Sequence, residues 1–506
     1  MRKFNMLLTL LLTAVATLGY SQRYVSEVFD EVEVTQGIFY GQNASIILLL
    51  DNDPSNDAHP FKQPLVLDLY QPVGDTETER PLVIFFHTGN FFPHPGNGGT
   101  GGLRTDSIAV EICTRLAKMG YVAASADYRL GWNPFDPDEL TRRWFLINAA
   151  YRGVQDARTA IRYFKRTAAE NGNPYGIDPD KIVLWGDGTG GYITLNTMAL
   201  DNYNKTLIPK FLLPGPIPMV IEGVNGDVEG KEVGLVPPGY PIFSPGDTLC
   251  HPNHVDYSSD FQLAVNMGGA IGDSSWVDPG QPALISYHVE TDPFAPYVEG
   301  TVLVPVVNFP VVEVQGSYLA QKLVNEFGNN NAFDDIDWSD PYTAAADSRN
   351  DGFEGLMPFT PVDPLDPSPW QFWAWNNPNA TEPSDSVGAR IYIDTIMNYY
   401  APRACLTLGL DCDLSNYTAV EEVLDAATVG LQLAPNPATS VVRFETAADH
   451  PIERIYVYDM NGRLVKAHVQ IQHNQFLMER NSLPAGMYLA KVFVKDGVVA
   501  QKIMFH

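Results

Sequence analysis

The chain has 506 residues, 45% of them hydrophobic and 18% charged. Such a chain is long enough for two or three domains and apolar enough for a large buried core, which excludes wholesale disorder. Its 60 acidic residues against 32 basic ones give a formal charge of −28, which argues against nucleic acid or an anionic membrane as the main partner.

The chain opens like an export address. Arg2 and Lys3 precede an apolar stretch, Leu7 to Leu18, and Gly19-Tyr20-Ser21 offers a small-x-small cleavage site before Gln22. The stretch falls short of the ~20 residues a membrane anchor needs, so residues 1–21 read as a signal peptide; the alternative is a buried N-terminal helix. No later segment is apolar enough to span a bilayer, so no transmembrane segment is expected.

Residues 22–425 alternate strands and helices in the order of an α/β fold with a doubly wound, mostly parallel sheet. Leu65–Tyr70 alternates as a half-buried strand, and Pro81–Phe86 is a continuous apolar run suited to a central one. Asp106 is placed to cap a helix running to Lys118, which Gly120 ends. Tyr121–Ala126 gives the next strand, Ala149–Glu170 a long helix with Val154, Ala157, Ile161 and Phe164 on one face, and Lys181–Trp185 another buried strand. Tyr192–Leu200 reads as helical. About 205–280 is rich in Pro and Gly and reads as an insertion. Ala283–His288 and Val311–Val314 are the expected final strands, followed by a helix over Ser317–Phe327 and a long loop over about 329–383. From about 426 to 506, short alternating strands between turn signals such as Asn461-Gly462 read as a small β-sandwich.

The segment Trp185-Gly186-Asp187-Gly188-Thr189-Gly190-Gly191 carries the most chemistry. In a G-x-S-x-G nucleophile elbow, a serine sits on a strained strand-to-helix turn that flanking glycines allow to fold sharply. Here the glycines and the following helix remain, but Gly188 occupies the serine position. Gly186, Gly188 and Gly191 also satisfy a dinucleotide G-x-G-x-x-G spacing, which requires an acidic residue about 20 positions on. None lies between Asp201 and Glu222, and no P-loop lysine is present.

Leu65-Asp68-Tyr70-Pro72, Arg80-Pro81 to His87-Thr88-Gly89, Asp127-Tyr128-Arg129-Leu130-Gly131, Asp156-Ala157-Arg158 and Gly176-Ile177-Asp178-Pro179 occur in an order and spacing that resembles secreted carboxylesterases of the α/β-hydrolase superfamily, over roughly residues 60 to 330. The feruloyl- and acetyl-esterase branch is the most similar. The resemblance implies an oxyanion turn at His87, Gly89 and Asn90, with Thr88 in place of a usual glycine, and a further donor in the N–H of Thr189. Otherwise His87 is a structural histidine tying the turn. The resemblance places the triad's acid at Asp292, in His288-Val289-Glu290-Thr291-Asp292-Pro293. The base should follow the acid in chain order, yet no histidine lies between Asp292 and His450. His251 and His254 reach the site only by an unorthodox path. Thr189 offers an alternative hydroxyl with no evident base, or is simply a turn residue.

The expected function is therefore an exported, carboxylesterase-like protein with a degenerate triad, a pseudo-hydrolase or surface protein binding an ester, a glycan or a partner. The alternative is an active esterase with a rearranged site using Thr189. No metal or cofactor is expected: no Cys/His cluster has zinc-ligand spacing, and Asp51–Asp53 and Asp334–Asp337 lack that of an EF-hand. Trp370-Gln371-Phe372-Trp373-Ala374-Trp375 is either an aromatic platform or the packed core of its own loop. Cys405 and Cys412 are the natural disulfide pair, and the state of Cys113 and Cys250 is left open.

The tail motifs Leu433-Ala434-Pro435-Asn436-Pro437, Ile455-Tyr456-Val457-Tyr458-Asp459-Met460-Asn461-Gly462 and Leu483-Pro484-Ala485-Gly486-Met487-Tyr488 resemble the type A sorting domain of the type IX secretion system. That implies the type IX machinery as a partner, passage through the periplasm and across the outer membrane to the cell surface or medium, and a Bacteroidota-type host.

Overall fold

Several central strands of the main sheet are buried along their whole length. In the computed structural model, Arg80–Phe86, Val122–Ala126, Leu263–Met267 and Ala283–Val289 are buried at every position. A strand covered on both faces has no need to alternate. The structure describes residues 22–47, 59–94, 97, 101–304, 308–361, 363–364, 366–372, 386–418, 424–460, 464–468, 471–481, 483–495 and 497–506. The signal-peptide reading, Asp51–Asp53 and Trp373 to Trp375 lie outside the described residues.

The main sheet comprises β1 (Val32–Ser45), β2 (Phe61–Pro72), β3 (Arg80–Phe86), β4 (Val122–Ala126), β5 (Ile177–Asp187), β6 (Leu263–Met267), β7 (Ala283–Val289) and β8 (Leu356–Phe359). Their spatial order is β1-β2-β4-β3-β5-β6-β7-β8. β2 is antiparallel to both neighbours and all later pairings are parallel. Helices α1 (Ser107–Lys118), α2 (Glu139–Glu170), α3 (Thr189–Ala199), α4 (Ser317–Glu326) and α5 (Ser386–Thr407) accompany it. The core gathers Leu82, Ile84, Val122, Leu184 and Leu284 from the strands with Ala157, Ile161, Phe164 and Leu195 from α2 and α3.

Two of the expectations are corrected by this topology. The stretch 205–280 is an excursion only in its first part, because Leu263–Met267 pairs with both β5 and β7 as a central strand. A five-residue buried strand inside a Pro- and Gly-rich context leaves little pattern to read. Val311–Val314 is not a strand of the main sheet: Pro310–Gln315 forms an antiparallel hairpin with Glu299–Leu303, and β8, inside the stretch read as a long loop, is the last strand.

Asp106 stands at the N-cap of α1, yet its side chain caps nothing. It turns back to accept the N–H groups of Gly102 and Leu103, at 2.6 and 3.1 Å. α2 begins ten residues before its predicted start because Asp138 caps it, accepting Thr141 N–H at 2.8 Å. The motif residues Arg129 and Asp156 are fully buried partners: Asp156 accepts the Arg129 backbone N–H at 2.8 Å and its guanidinium at 2.9 Å. That pair ties the loop after β4 to α2.

The described residues within 22–335 and 352–414 form one compact unit, and those within 336–351 and 415–506 a second. In the second, Gln432–Ala434, Val441–Glu445 and Gln475–Glu479 form one antiparallel sheet, and Leu464–His468, Ile452–Tyr458, Gly486–Val494 and Gly497–Phe505 another. Phe444, Ile455, Met478 and Val492 are completely buried in its core, as the alternating pattern requires. Cys405 and Cys412 form a disulfide in the first unit, while Cys113 and Cys250 are buried free thiols.

Candidate active site

β5 delivers the chain to the carboxyl edge of the sheet and α3 carries it away, with Gly188 between them at φ 52° and ψ −111°. Side chains rarely adopt that conformation, and an elbow stores strain there when it carries one. The turn is also crowded: a Cβ on Gly186 would strike the carbonyl of Gly190, and one on Gly190 would strike that of Phe86. Gly188 donates its N–H to Met267 O at 2.7 Å, fixing the turn against β6.

The space a nucleophile would need is taken. A Cβ on Gly188 would collide with Thr88 Oγ1 and lie 3.1 Å from Thr88 Cβ. Thr88 belongs to the predicted oxyanion turn, where Asn90 and Phe91 both take positive φ. Gly188 and Thr88 thus share one space: a side chain at 188 requires Thr88 to move.

The predicted site residues separate into two groups. Gly188, Thr189, Asp292, Gly89 and Asn90 meet around one cavity, together with Thr88. His87 does not line it. Its ring is buried, stacks on Tyr128 at 4.6 Å, and places Nδ1 2.5 Å from Thr88 O, so it ties the turn from behind. The Asn90 N–H, expected as an oxyanion donor, is spent on Thr189 Oγ1 at 2.7 Å. Thr189 is 6% exposed, and its hydroxyl serves as that acceptor. The N–H of Thr189 remains at the opening of α3, where helix geometry leaves donors unpaired.

Asp292 follows β7, with Oδ1 accepting the N–H groups of Phe294 and Ala295 at 2.7 and 3.0 Å. Burial pushes its carboxyl up to about 7, the two N–H bonds pull the other way, and the Asp187 charge adds to the rise. His288 is unable to serve as base. It is completely buried, its Nε2 lies 2.9 Å from Ala295 O, and its Nδ1 lies 2.6 Å from Ser317 Oγ. A carbonyl only accepts, so Nε2 carries the ring proton, and burial pushes the group down to about 4. His254 is engaged by Tyr40 O and Arg166, and neither it nor His251 lines the cavity. Among the described residues no histidine does.

The loop after β8, where chain order places a base, instead delivers Trp370 and Gln371. Trp370 Nε1 donates to Asp187 Oδ1 at 2.8 Å and Gln371 Nε2 to Oδ2 at 2.6 Å. The indole is completely buried, and a Cβ on Gly268 would stand 3.6 Å from it and 3.8 Å from Asp292 Oδ2. Burial pushes Asp187 up to about 6, against those two hydrogen bonds and helped by the Asp106 charge. The sequence left Trp370 as either an aromatic platform or loop packing, and gave Asp187 no role. Asp187 sits between two indispensable glycines, which is the only local hint that its environment is special.

The cavity measures about 350 Å³ and is largely apolar, with Phe91, Trp132, Phe211 and Trp276 among its walls. That is the lower end of the ~300–1,000 Å³ range of small-molecule sites. It lies outside the carboxyl ends of the parallel strands, where open α/β sheets hold their ligands.

The order of the sheet, the elbow after β5 and the acid after β7 define an α/β-hydrolase fold. Residues 67–211 match the BD-FAE family model, and residues 432–506 match the secretion system C-terminal sorting domain. The chain thus carries an esterase-like α/β-hydrolase domain followed by a type IX sorting domain, which directs it to the cell surface or the extracellular space. It is 27% identical over 206 residues to Secreted lipase 5 of Gibberella zeae, covering 38% of this chain and 34% of that protein. It is 30% identical over 134 residues to Quorum-quenching protein AidA of Acinetobacter baumannii, covering 26% of this chain and 35% of that protein. The chain spans only about a third of the length of these relatives. Among solved structures, Thermogutta terrifontis esterase 2 phosphorylated by paraoxon aligns at 20% identity over 53% of this chain and 73% of that one, with a TM-score of 0.29. A truncated form of carbohydrate esterase from gut microbiota aligns at 18% identity over 58% and 84%, with a TM-score of 0.31. No helix among the described residues is long and apolar enough to cross a membrane.

Proposed function

We propose that the hydrolase-like domain is a ligand-binding pseudo-hydrolase, exported with residues 1–21 as its signal peptide from a Bacteroidota-type host and delivered by its sorting domain. One arrangement carries this reading: Thr88 stands over Gly188 while Trp370 and Gln371 come from the base's loop, and a cavity remains open beside them. Losing nucleophile or base alone from a serine hydrolase costs ~10⁶ in kcat, leaving ~10³–10⁴ over water from binding and the oxyanion hole. Here both positions lack the residue, and the Asn90 donor is engaged elsewhere. The surviving cavity distinguishes a binder from a mere scaffold, because a scaffold has no use for unfilled apolar volume in its core.

The test is turnover of short p-nitrophenyl esters and acetylated xylan by the purified protein, with a fluorophosphonate probe alongside. The expected result is a rate at background and no labelling. Turnover above background that disappears in Thr189→Ala overturns the pseudo-hydrolase reading in favour of a rearranged esterase.

A further inference from the structure

The cavity has an uneven chemistry. Phe91, Trp132, Leu146, Phe211, Trp276 and Val314 give it an apolar wall, and among the described residues no lysine, arginine or histidine lines it. Among the described residues the one carboxylate on its surface is Asp292. This side chain is 4% exposed. Its Oδ1 is satisfied by the N–H groups of Phe294 and Ala295. Its Oδ2 has no donor within hydrogen-bond reach among the described residues: His288 Nε2 is 3.9 Å away and directs its proton to Ala295 O. Oδ1 thus holds the turn after β7, while Oδ2 serves no partner within the described protein. A buried acceptor without a donor is costly, and a buried carboxylate without a counter-charge more so.

Resting on the reading of the site as a binder, we infer that Asp292 Oδ2 anchors an organic cation, an ammonium group carried on an apolar body that fills the cavity. The body is selected by the apolar wall. The head is selected by charge, since a carboxylate faces the ligand and no basic side chain does. Tyr192 and Phe294 line the cavity with Asp292, and their ring faces suit a cation. The net charge of −28 draws cations toward the molecule as a whole. A carboxylate ligand, the product of ester hydrolysis, meets the opposite field and is rejected.

The groups facing Asp292 fix the pH dependence. Asp187 from the elbow adds negative charge, His288 from β7 is neutral, and Tyr192 from α3 stays protonated because burial and Asp292 raise it. A proton on Asp292 therefore competes with the ligand cation, so ammonium binding tightens as pH rises through about 7 and then levels.

The experiment is calorimetric titration of the whole secreted protein with n-octylammonium chloride, n-octanol and sodium n-octanoate at pH 8. Octylammonium should bind about tenfold or more tightly than octanol, a margin of one hydrogen-bonded charge pair, and octanoate weakest. Asp292→Asn should erase the ammonium preference, bringing octylammonium to the level of octanol, and a cooperative urea unfolding transition reports that the variant folds. In the wild type, octylammonium affinity should fall by up to about tenfold per pH unit below the Asp292 pKa while octanol affinity stays level. Octanoate binding as tightly as octylammonium, or an ammonium preference unaffected by both pH and Asp292→Asn, overturns the inference while leaving a binding cavity intact. If none of the three binds, the binder reading falls with it.

Discussion

Restoring the missing serine tests whether Thr88 and Gly188 form one steric unit. In Gly188→Ser the new Cβ collides with Thr88 Oγ1 and approaches Thr88 Cβ to 3.1 Å, on a residue held at φ 52°. The backbone penalty for a side chain at such a φ/ψ is about 1–3 kcal/mol, and overpacking adds another ~1–3 kcal/mol. Thr88→Gly removes the overpacking half and leaves the backbone half, because the nearest remaining atom, the residue 88 Cα, is 3.8 Å away. Unfolding in urea of the wild type, both single variants and the double variant forms a double-mutant cycle. The expected coupling is about 1–3 kcal/mol, with the serine markedly better tolerated beside glycine. Additivity within ~0.5 kcal/mol refutes the argument, as the two positions would then not share space. None of the four proteins should gain esterase turnover, since the restored hydroxyl still has no base.

Two further outcomes follow from the buried carboxylates. Asp292 titrates near 7 when folded, above its ordinary 3.8; the unfolded chain therefore releases this proton first, and the group costs stability as pH rises from about 4 to about 7. Asp292→Asn should gain stability relative to wild type across that window, by at most ~4 kcal/mol, and denaturant unfolding at pH 4.5 and pH 8 should show it; a relative loss on raising pH contradicts the assignment. Trp370→Phe removes the indole donor from Asp187 while keeping most of the packing, so it should cost about 1.5–3 kcal/mol when the carboxylate is charged at pH 8. The cost should shrink at pH 5, below the Asp187 value of about 6, and a pH-independent loss would mean that packing alone is at stake.

The sequence was most legible where one physical rule acted alone. Continuous apolar runs announced β3, β4, β5 and β7, because burial on both faces leaves no other composition, and paired glycines announced the elbow. Reading failed where the same residues answer to tertiary context. β6 and β8 are five and four residues long, too short to show a period, and both derive their burial from neighbouring strands. Val311–Val314 had the right pattern for a strand and the wrong partner. Asp106 had the right position for a cap, but the glycine-rich turn at 101–103 supplied better donors for its carboxylate. At the site, the absence of serine and histidine could be read directly, whereas the residues filling those vacancies could not. Nothing in the one-dimensional order says that Trp370 lies against Gly268, or that Thr88 lies over Gly188.

That asymmetry bears on the proposed pseudo-hydrolase reading. A serine replaced by glycine in isolation leaves a hole over the elbow and an acid waiting for its histidine. Here Thr88 lies against the elbow at Gly188, Thr189 is tied to the turn through Asn90, and the loop after β8 supplies two donors to the buried Asp187. Those contacts are what the proposed pseudo-hydrolase reading rests on. Asp292 differs in where it stands: its Oδ2 has no donor among the described residues and opens on the apolar cavity, so a ligand with a donor is what would satisfy it.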